Sequence, residues 1–163
     1  MKSIKDETNL VNKKILLRLD LNVPIVSNKI TDTTRIDKIL PTLEFLINQN
    51  TRIIIISHVG RPKGKIVNEL SLKLICEELS KKLNQNVKLF SKNIKEIDAK
   101  ELFNNNDERV IMLENIRFYP EEEENNEKFA KHLSTLADIY VNDAFSCSHR
   151  AHASIHKITN FLP

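Results

Sequence analysis

Five short, largely continuous apolar runs constrain the fold of this 163-residue chain more than any other feature. The runs lie at residues 15–19, 53–56, 87–90, 110–113 and 139–141. They do not alternate regularly between apolar and polar residues, although Arg18 interrupts the first of them. Continuous apolar runs of this length are typical of strands that are buried on both faces of a parallel sheet. The sequence therefore predicts five buried strands.

Amphipathic segments separate the runs and predict the helices. Pro41 is expected in the first turn of one helix, and Ser71 is expected to cap a second one. Asp98 is expected to cap a short turn, and residues 120–137 are expected to form one further helix that begins at Pro120. Strands that alternate with helices favour an α/β fold, here a three-layer α/β/α sandwich with a mostly parallel, Rossmann-like sheet. We expect residues 1–163 to form a single domain of this kind.

Composition excludes several classes of protein. The only two glycines, Gly60 and Gly64, cannot form either of the glycine-rich nucleotide-binding loops. The two cysteines, Cys76 and Cys147, have neither CxxC nor zinc-type spacing, and Cys76 is expected in the core. No apolar run exceeds four residues, whereas a membrane-spanning helix needs about 20. The cysteine usage and the lack of a long apolar run predict a cytoplasmic protein with no membrane partner. A net charge of only +3 gives no indication of a nucleic-acid partner.

Arginine has an uneven distribution along the chain. Only seven of the 25 Lys and Arg residues are arginine. Five of these are predicted at strand ends or in the loops that follow: Arg18, Arg35, Arg61, Arg117 and Arg150. Open α/β sheets bind ligands beyond the carboxyl ends of their strands, and a guanidinium group binds carboxylate or phosphate through paired hydrogen bonds. The alternative is that exposed strand ends simply carry surface arginines, and that His58 nearby is a structural hydrogen-bond donor.

Polar residues follow the first predicted strand. Strand alternation would place Arg18, Asp20 and Asn22 on one face. Asp20 and Asn22 are candidates to accept hydrogen bonds from a ligand hydroxyl group or to orient an arginine. An ordinary Asx turn is the alternative interpretation of these two residues.

The last polar segment contains His149 and His152, which raises the question of a metal site. No third ligand has a suggestive spacing, and Arg150 between the two histidines would repel a cation. We therefore predict no metal site. No nucleophilic triad or Cys–His pair is indicated either. Several arginines without a nucleophile predict that a polyanionic small molecule is bound and positioned by charge.

Five segments resemble the phosphoglycerate kinase family in order and approximate spacing. They are RLDLNVP at 18–24, TDTTRI at 31–36, SHVGRPKG at 57–64, MLENIRF at 112–118 and DAFSCSHRAHAS at 143–154. Through them, essentially the whole chain resembles the N-terminal domain of this normally two-domain kinase. The resemblance implies phosphoryl transfer between 1,3-bisphosphoglycerate and ADP, which gives 3-phosphoglycerate and ATP in glycolysis. It also implies a monomer whose C-terminal domain binds Mg2+ with ATP or ADP. We expect no cofactor in this chain, which should be inactive alone.

The resemblance also assigns roles to residues. Arg35 is implied as the catalytic arginine near the transferring phosphoryl group. The implied substrate-binding residues are Asp20, Leu21, Asn22, Arg35, His58, Val59, Gly60, Arg61, Arg117 and Arg150. Arg18, His149 and His152 are implied behind them, as supports that do not touch the substrate. No metal ligand is implied in this chain. A stand-alone binding module for a phosphorylated acid, or an unrelated α/β enzyme acting on another such acid, is the alternative.

Overall fold

The computed structural model describes residues 9–104, 107–143 and 152–163. In these ranges the strands are β1 Lys14–Leu19, β2 Ile25–Val26, β3 Lys29–Ile30, β4 Arg52–Ile56, β5 Val87–Phe90, β6 Val110–Leu113 and β7 Ile139–Asp143. The α-helices are α1 Thr34–Asn48, α2 Lys73–Leu83, α3 Pro120–Glu123 and α4 Glu127–Ser134. Short 3-10 helices lie at Asn68–Leu70, Ile94–Glu96, Ala99–Glu101, Ile116–Phe118 and Lys157–Asn160.

Five of the strands form one sheet in the order β5-β6-β4-β1-β7. Every neighbouring pair in this sheet is parallel; for example, Ile15 of β1 is in register with Ile53 of β4 and Ile139 of β7. Each predicted apolar run coincides with one of these strands. The prediction of buried parallel strands is confirmed. Since the strands are parallel, the loops after β1, β4 and β6 emerge at the same edge of the sheet.

Both faces of the sheet are covered, which explains why its strands are continuously apolar. In β4, Ile53 and Ile55 pack into a core with side chains of α1 and α2. Ile54 and Ile56 pack on the opposite face, with side chains of α4 and the short 3-10 helices. Successive side chains of a strand point to opposite faces, so both sets of positions must be apolar. The predicted three-layer α/β/α architecture is confirmed.

Helix α1 begins earlier than predicted. It starts at Thr34, and Pro41 lies inside it instead of in its first turn. The Thr34 N–H donates to Asp32 Oδ1 over 2.9 Å, which anchors the start of the helix. Buried Ile36 and Ile39 extend the apolar face upstream of the proline. Packing of this face against the sheet favours the helix in spite of the hydrogen bond that Pro41 cannot donate.

Helix α2 is capped by a residue from another element. The prediction that Ser71 is its cap is only partly right: α2 starts at Lys73 and Leu72 occupies the cap position, but Ser71 Oγ accepts from the Lys73 N–H at 3.2 Å. Glu114, which directly follows β6, accepts hydrogen bonds from the Leu72 N–H at 2.8 Å and from Ser71 Oγ at 2.7 Å. A carboxylate at a helix N-terminus satisfies free N–H groups and interacts favourably with the helix dipole.

The helix predicted over residues 120–137 is divided into α3 and α4. Asn125 between them has a φ of 53°, a left-handed conformation that ends the first helix. The Asn126 side chain accepts a hydrogen bond from the Phe129 N–H at 2.9 Å and starts α4. By contrast, the predicted cap at Asp98 is confirmed, with a reciprocal capping box to Glu101.

The antiparallel hairpin of β2 and β3 was not predicted from the sequence. Its turn residues Ser27 and Asn28 have φ angles of 49° and 62°. Two consecutive positive φ angles are typical of the tight turns that match the twist of a hairpin. The missing signal was a glycine, which usually marks such a turn. The hairpin lies between β1 and α1 and lines a groove described below.

Cys76 lies in the core as predicted and is 4% exposed. Its Sγ–H donates to the Val87 carbonyl at 3.0 Å, and burial raises the pKa of the thiol to about 11. At about pH 8 only on the order of one Cys76 thiol in a thousand is therefore ionised.

In a Cys147→Ser variant, we expect Cys76 to react very slowly with a thiol reagent at about pH 8, because both burial and protonation protect it. The rate should rise as the pH increases toward 11 and should reach the free-thiol rate in denaturant. Fast labelling of the native variant at about pH 8 would contradict the buried position.

Candidate functional site

Arg35 is held against the loop that follows β1. Its Nη1 donates to Asp20 Oδ1 at 3.0 Å and to the Asn22 carbonyl at 3.1 Å. Arg35 lies in the first turn of α1, so its predicted position in a loop after a strand is wrong. Asp20 also accepts from the Asn22 N–H at 3.3 Å, so it both orients the arginine and forms an Asx-type contact. The Arg35 side chain remains 46% exposed and accessible to a ligand.

The loops after β1 and β4 are hydrogen-bonded to each other. The Gly60 N–H donates to Asn22 Oδ1 at 2.9 Å. Gly60 has a φ of 66°, and a Cβ atom there would lie 2.7 Å from Leu70 Cδ2. Glycine adopts this conformation with the least strain, and its lack of a side chain leaves room for Leu70 next to the loop after β4.

Leu21 and Val59 lie between these predicted contact residues but have buried side chains. Both side chains belong to the core on the α1–α2 face of the sheet. The Leu21 N–H donates to Ser57 Oγ at 3.1 Å, and the Val59 carbonyl accepts from Asn115 Nδ2 at 2.9 Å. Any contact of these two residues with a ligand must therefore come from backbone atoms.

Two further predicted arginines differ in their surroundings. Arg61 is exposed, and it makes no hydrogen bond or ion pair with the part of the chain that the structure describes. Arg117 is only 6% exposed and lies in the 3-10 helix after β6. Its carbonyl accepts from the Gly64 N–H at 3.2 Å, and its Nη2 lies 3.5 Å from His152 Nδ1. Arg117 therefore connects the loop that carries Arg61 with His152.

Two further predicted residues, Arg18 and His58, are buried. Arg18 is fully buried, and its Nη2 lies 2.9 Å from Nδ1 of His58, which is 2% exposed. Strand β1 ends at Leu19, so the alternation predicted to place Arg18 with Asp20 and Asn22 does not continue past the strand. The contacts of Arg18 are instead with His58 and Ser154. Its burial fits the predicted supporting role.

The last two predicted site residues, His149 and Arg150, lie outside the described residues. His152 is described, and its partner Arg117 is a cation. Among residues 9–104, 107–143 and 152–163, no three His, Cys, Asp or Glu side chains are grouped to hold a metal ion.

Asn115 joins three parts of the site and was not predicted from the sequence. Asn115 is fully buried, and its Nδ2 donates to the carbonyls of Val59 and Leu70, each at 2.9 Å. Its Oδ1 accepts from the Arg117 N–H at 3.0 Å. Asn115 could have been predicted from its position shortly after buried strand β6, because a buried polar side chain needs hydrogen-bond partners. Asn115 therefore holds the loop after β4 next to Arg117.

A groove of about 640 Å³ lies next to the loops that follow β1 and β4. It is lined by Asn22, Val59 and Gly60, and also by the β2–β3 hairpin and the turn that contains Glu69. None of the described arginines lines it, and Glu69 adds a negative charge. The groove is therefore distinct from the arginine-rich surface, which is formed by Arg35, Arg61 and Arg117 together with Asp20 and Asn22, the residues that hold Arg35.

The sequence matches the family model of phosphoglycerate kinase over residues 4–163. The chain belongs to the phosphoglycerate kinase family. This finding confirms the resemblance predicted from the five sequence segments, and the arginine-rich surface described above lies on the first four of them.

Relatives within the phosphoglycerate kinase family match nearly the whole chain. The phosphoglycerate kinase of Wolbachia pipientis subsp. Culex pipiens (strain wPip) is 53% identical over 152 residues, which cover 93% of this chain and 38% of the relative. That of Borreliella afzelii (strain PKo) is 45% identical over 167 residues, covering 100% of this chain and 42% of the relative. The solved structure of phosphoglycerate kinase from Coxiella burnetii is 40% identical with a TM-score of 0.86, covering 98% of this chain and 39% of that one. The chain thus spans about two fifths of the length of its relatives.

Proposed function

We propose that residues 1–163 form the N-terminal, phosphoglycerate-binding domain of a phosphoglycerate kinase. The observation that carries this proposal is the position of Arg35, whose exposed guanidinium group is oriented by Asp20 and Asn22. Arg61 and Arg117 are on loops that hydrogen bonds connect to the same strand-end surface. This arrangement suits a small ligand with a carboxylate at one end and a phosphate at the other.

The proposed ligand is 3-phosphoglycerate or 1,3-bisphosphoglycerate. Arg61, Arg117 and Arg150 would bind its 3-phosphate, together with His58 and the backbone of the loop through Gly60. Asp20 and Asn22 would contact its hydroxyl group and carboxylate end. A guanidinium group binds phosphate through two parallel hydrogen bonds, which a lysine cannot provide.

The proposed reaction needs no nucleophile from the protein. In the direction that consumes ATP, a carboxylate oxygen of 3-phosphoglycerate attacks the terminal phosphorus of ATP. A new P–O bond forms, the bond to ADP breaks, and ADP keeps the electron pair. Arg35 would neutralise the charge that develops on the transferring group, since phosphoryl transfer depends on positioning and electrostatic stabilisation.

The nucleotide and Mg2+ are assigned to the second domain of the complete kinase. The described residues group no set of metal ligands, so they do not fit a metal site of their own. None of the described helices has the length and apolar character to cross a bilayer. We further propose a cytoplasmic monomer with small-molecule substrates and no nucleic-acid or membrane partner. A stand-alone binding module is not favoured, since the matched relatives are phosphoglycerate kinases.

Titration of this chain with 3-phosphoglycerate at low salt, followed by calorimetry, tests the proposal. We expect saturable binding of 3-phosphoglycerate and none of ATP. We expect Arg61→Ala to weaken binding about tenfold, because a hydrogen bond to a charged group contributes about 1.5 kcal/mol or more.

Lys65→Ala is the matched control, since it removes one positive charge from the same exposed loop. Its affinity should stay close to that of the unmodified chain, as an exposed charge is screened by solvent. Equal losses in both variants would mean that net charge, and not the Arg61 guanidinium group, binds the phosphate. No binding by the folded chain would contradict the proposed function.

A further inference from the structure

We propose that Glu122 is a positioning residue that acts through Ser154 and Arg18 to fix the tautomer of His58. Glu122 lies in the short helix α3, and the other three residues come from the end of β1, the loop after β4 and the turn at residue 154. Neither the sequence motifs nor the proposed reaction assigns a role to Glu122.

Glu122 is the counter-charge of a buried arginine. Both Glu122 and Arg18 are 0% exposed, and Glu122 Oε2 lies 4.0 Å from Arg18 Nη2. A buried cation without a compensating anion is strongly unfavourable. Glu122 of α3 therefore stabilises Arg18 in its buried position.

Ser154 is hydrogen-bonded to both Arg18 and Glu122, and these two contacts fix which group donates each hydrogen bond. Arg18 Nε lies 3.1 Å from Ser154 Oγ, which also makes a short hydrogen bond to Glu122 Oε2. A guanidinium group can only donate hydrogen bonds, so Ser154 Oγ must accept from Arg18. The single hydroxyl proton of Ser154 then points to the Glu122 carboxylate.

Arg18 also determines which nitrogen of the His58 ring carries the proton. Arg18 Nη2 lies 2.9 Å from His58 Nδ1, while Arg18 Nη1 donates to the Leu19 carbonyl at 2.7 Å. Since Arg18 donates, His58 Nδ1 must carry the lone pair, and the ring proton must be on Nε2. His58 is therefore held as a neutral ring with its proton on Nε2.

Glu122 also holds the turn next to His152. Its Oε1 accepts from the Ser154 N–H at 2.7 Å, and its carbonyl accepts from the Ala153 N–H at 2.8 Å. His152, which directly precedes this turn, contacts Arg117. One buried carboxylate therefore supports both histidines of the described site.

The test is a two-bond 1H–15N NMR spectrum of the histidine rings in this chain. It distinguishes Nδ1–H, Nε2–H and doubly protonated rings and needs no substrate. We expect a single Nε2–H tautomer for His58. In Glu122→Gln, the amide cannot accept at both of the positions where Ser154 donates, so Arg18 loses its orientation. We expect His58 to show a mixture of ring forms in this variant.

Glu123→Gln is the matched control, because Glu123 is the next residue of the same helix and is exposed. It should leave the His58 spectrum unchanged. Ser154→Ala is the second test variant, since it keeps the carboxylate but removes the link to Arg18. It should also produce mixed ring forms, and it decides the question if Glu122→Gln fails to fold. An unchanged Nε2–H tautomer in a folded variant of either kind would overturn the proposal.

The consequence for binding rests on the proposed function. If His58 contacts the phosphoglycerate, Glu122→Gln and Ser154→Ala should each weaken 3-phosphoglycerate binding by about tenfold, and Glu123→Gln should not. Failure of the unmodified chain to bind 3-phosphoglycerate would contradict the proposed function alone, because the ring spectrum still tests the network. A changed tautomer with unchanged affinity would show that Glu122 does not act on binding, and would overturn that part of the inference.

Discussion

Replacement of Arg35 by alanine in the complete kinase is expected to lower kcat by about 10²–10³-fold with a much smaller change in KM. Arg35 is half-exposed, and its Nη1 is fixed by Asp20 Oδ1 and the Asn22 carbonyl. A guanidinium group held in this way needs no reorganisation when charge develops on the transferring phosphoryl group. Steady-state kinetics with 3-phosphoglycerate and ATP varied separately measure the effect.

Lys38→Ala provides the matched control for Arg35→Ala. Lys38 is an exposed cation one turn further along α1, so its removal changes the net charge by the same amount. Its kcat should stay close to that of the unmodified kinase. The assignment of Arg35 to the transition state is wrong if Arg35→Ala raises KM for 3-phosphoglycerate while kcat stays the same.

Replacement of Asn115 by alanine is expected to lower the free energy of unfolding by about 3 kcal/mol. The substitution removes two hydrogen bonds to carbonyls, at buried Val59 and half-buried Leu70, and leaves the Arg117 N–H without its acceptor. Buried polar groups without partners keep their full desolvation cost. Denaturant unfolding of the chain, followed by circular dichroism, measures the change.

Asn86→Ala is the control for this loss, because Asn86 is exposed and has no hydrogen bond within the described residues. Its unfolding midpoint should shift little. Asn115→Asp should destabilise the chain at least as much as Asn115→Ala, since it loses both donors and places a buried carboxylate against two carbonyl oxygens. Unchanged stability of Asn115→Ala would contradict the central position of Asn115 between the loops.

The sequence was sufficient to predict the five strands of the sheet and its two helical layers. A continuous apolar run such as Ile53–Ile56 is stable only where both faces of a strand are covered, which requires helices on each side. The helix boundaries were less predictable. Helix α1 starts before Pro41 and α3 ends before Asn125, because tertiary packing and local hydrogen bonds outweigh the usual preference of one residue type.

The candidate site was predictable only in part. Asp20 and Asn22 were indicated because polar residues after a buried strand lie where ligands bind, and Arg35 was indicated by the family resemblance. The exact partner of Arg35 was not predictable, since a hydrogen bond across 15 residues depends on how the loop and α1 meet.

Sequence alone determined the α/β architecture and the family, because apolar periodicity and short motifs are properties of neighbouring residues. Only the tertiary structure decided which polar residues are buried together. Glu122 is one of four consecutive acidic residues at 121–124, and nothing in that run distinguishes it from the exposed Glu123. The packing of α3 places Glu122 against Arg18, 104 positions earlier in the chain. A buried charge is stable only with a partner, and the fold alone brings that partner near.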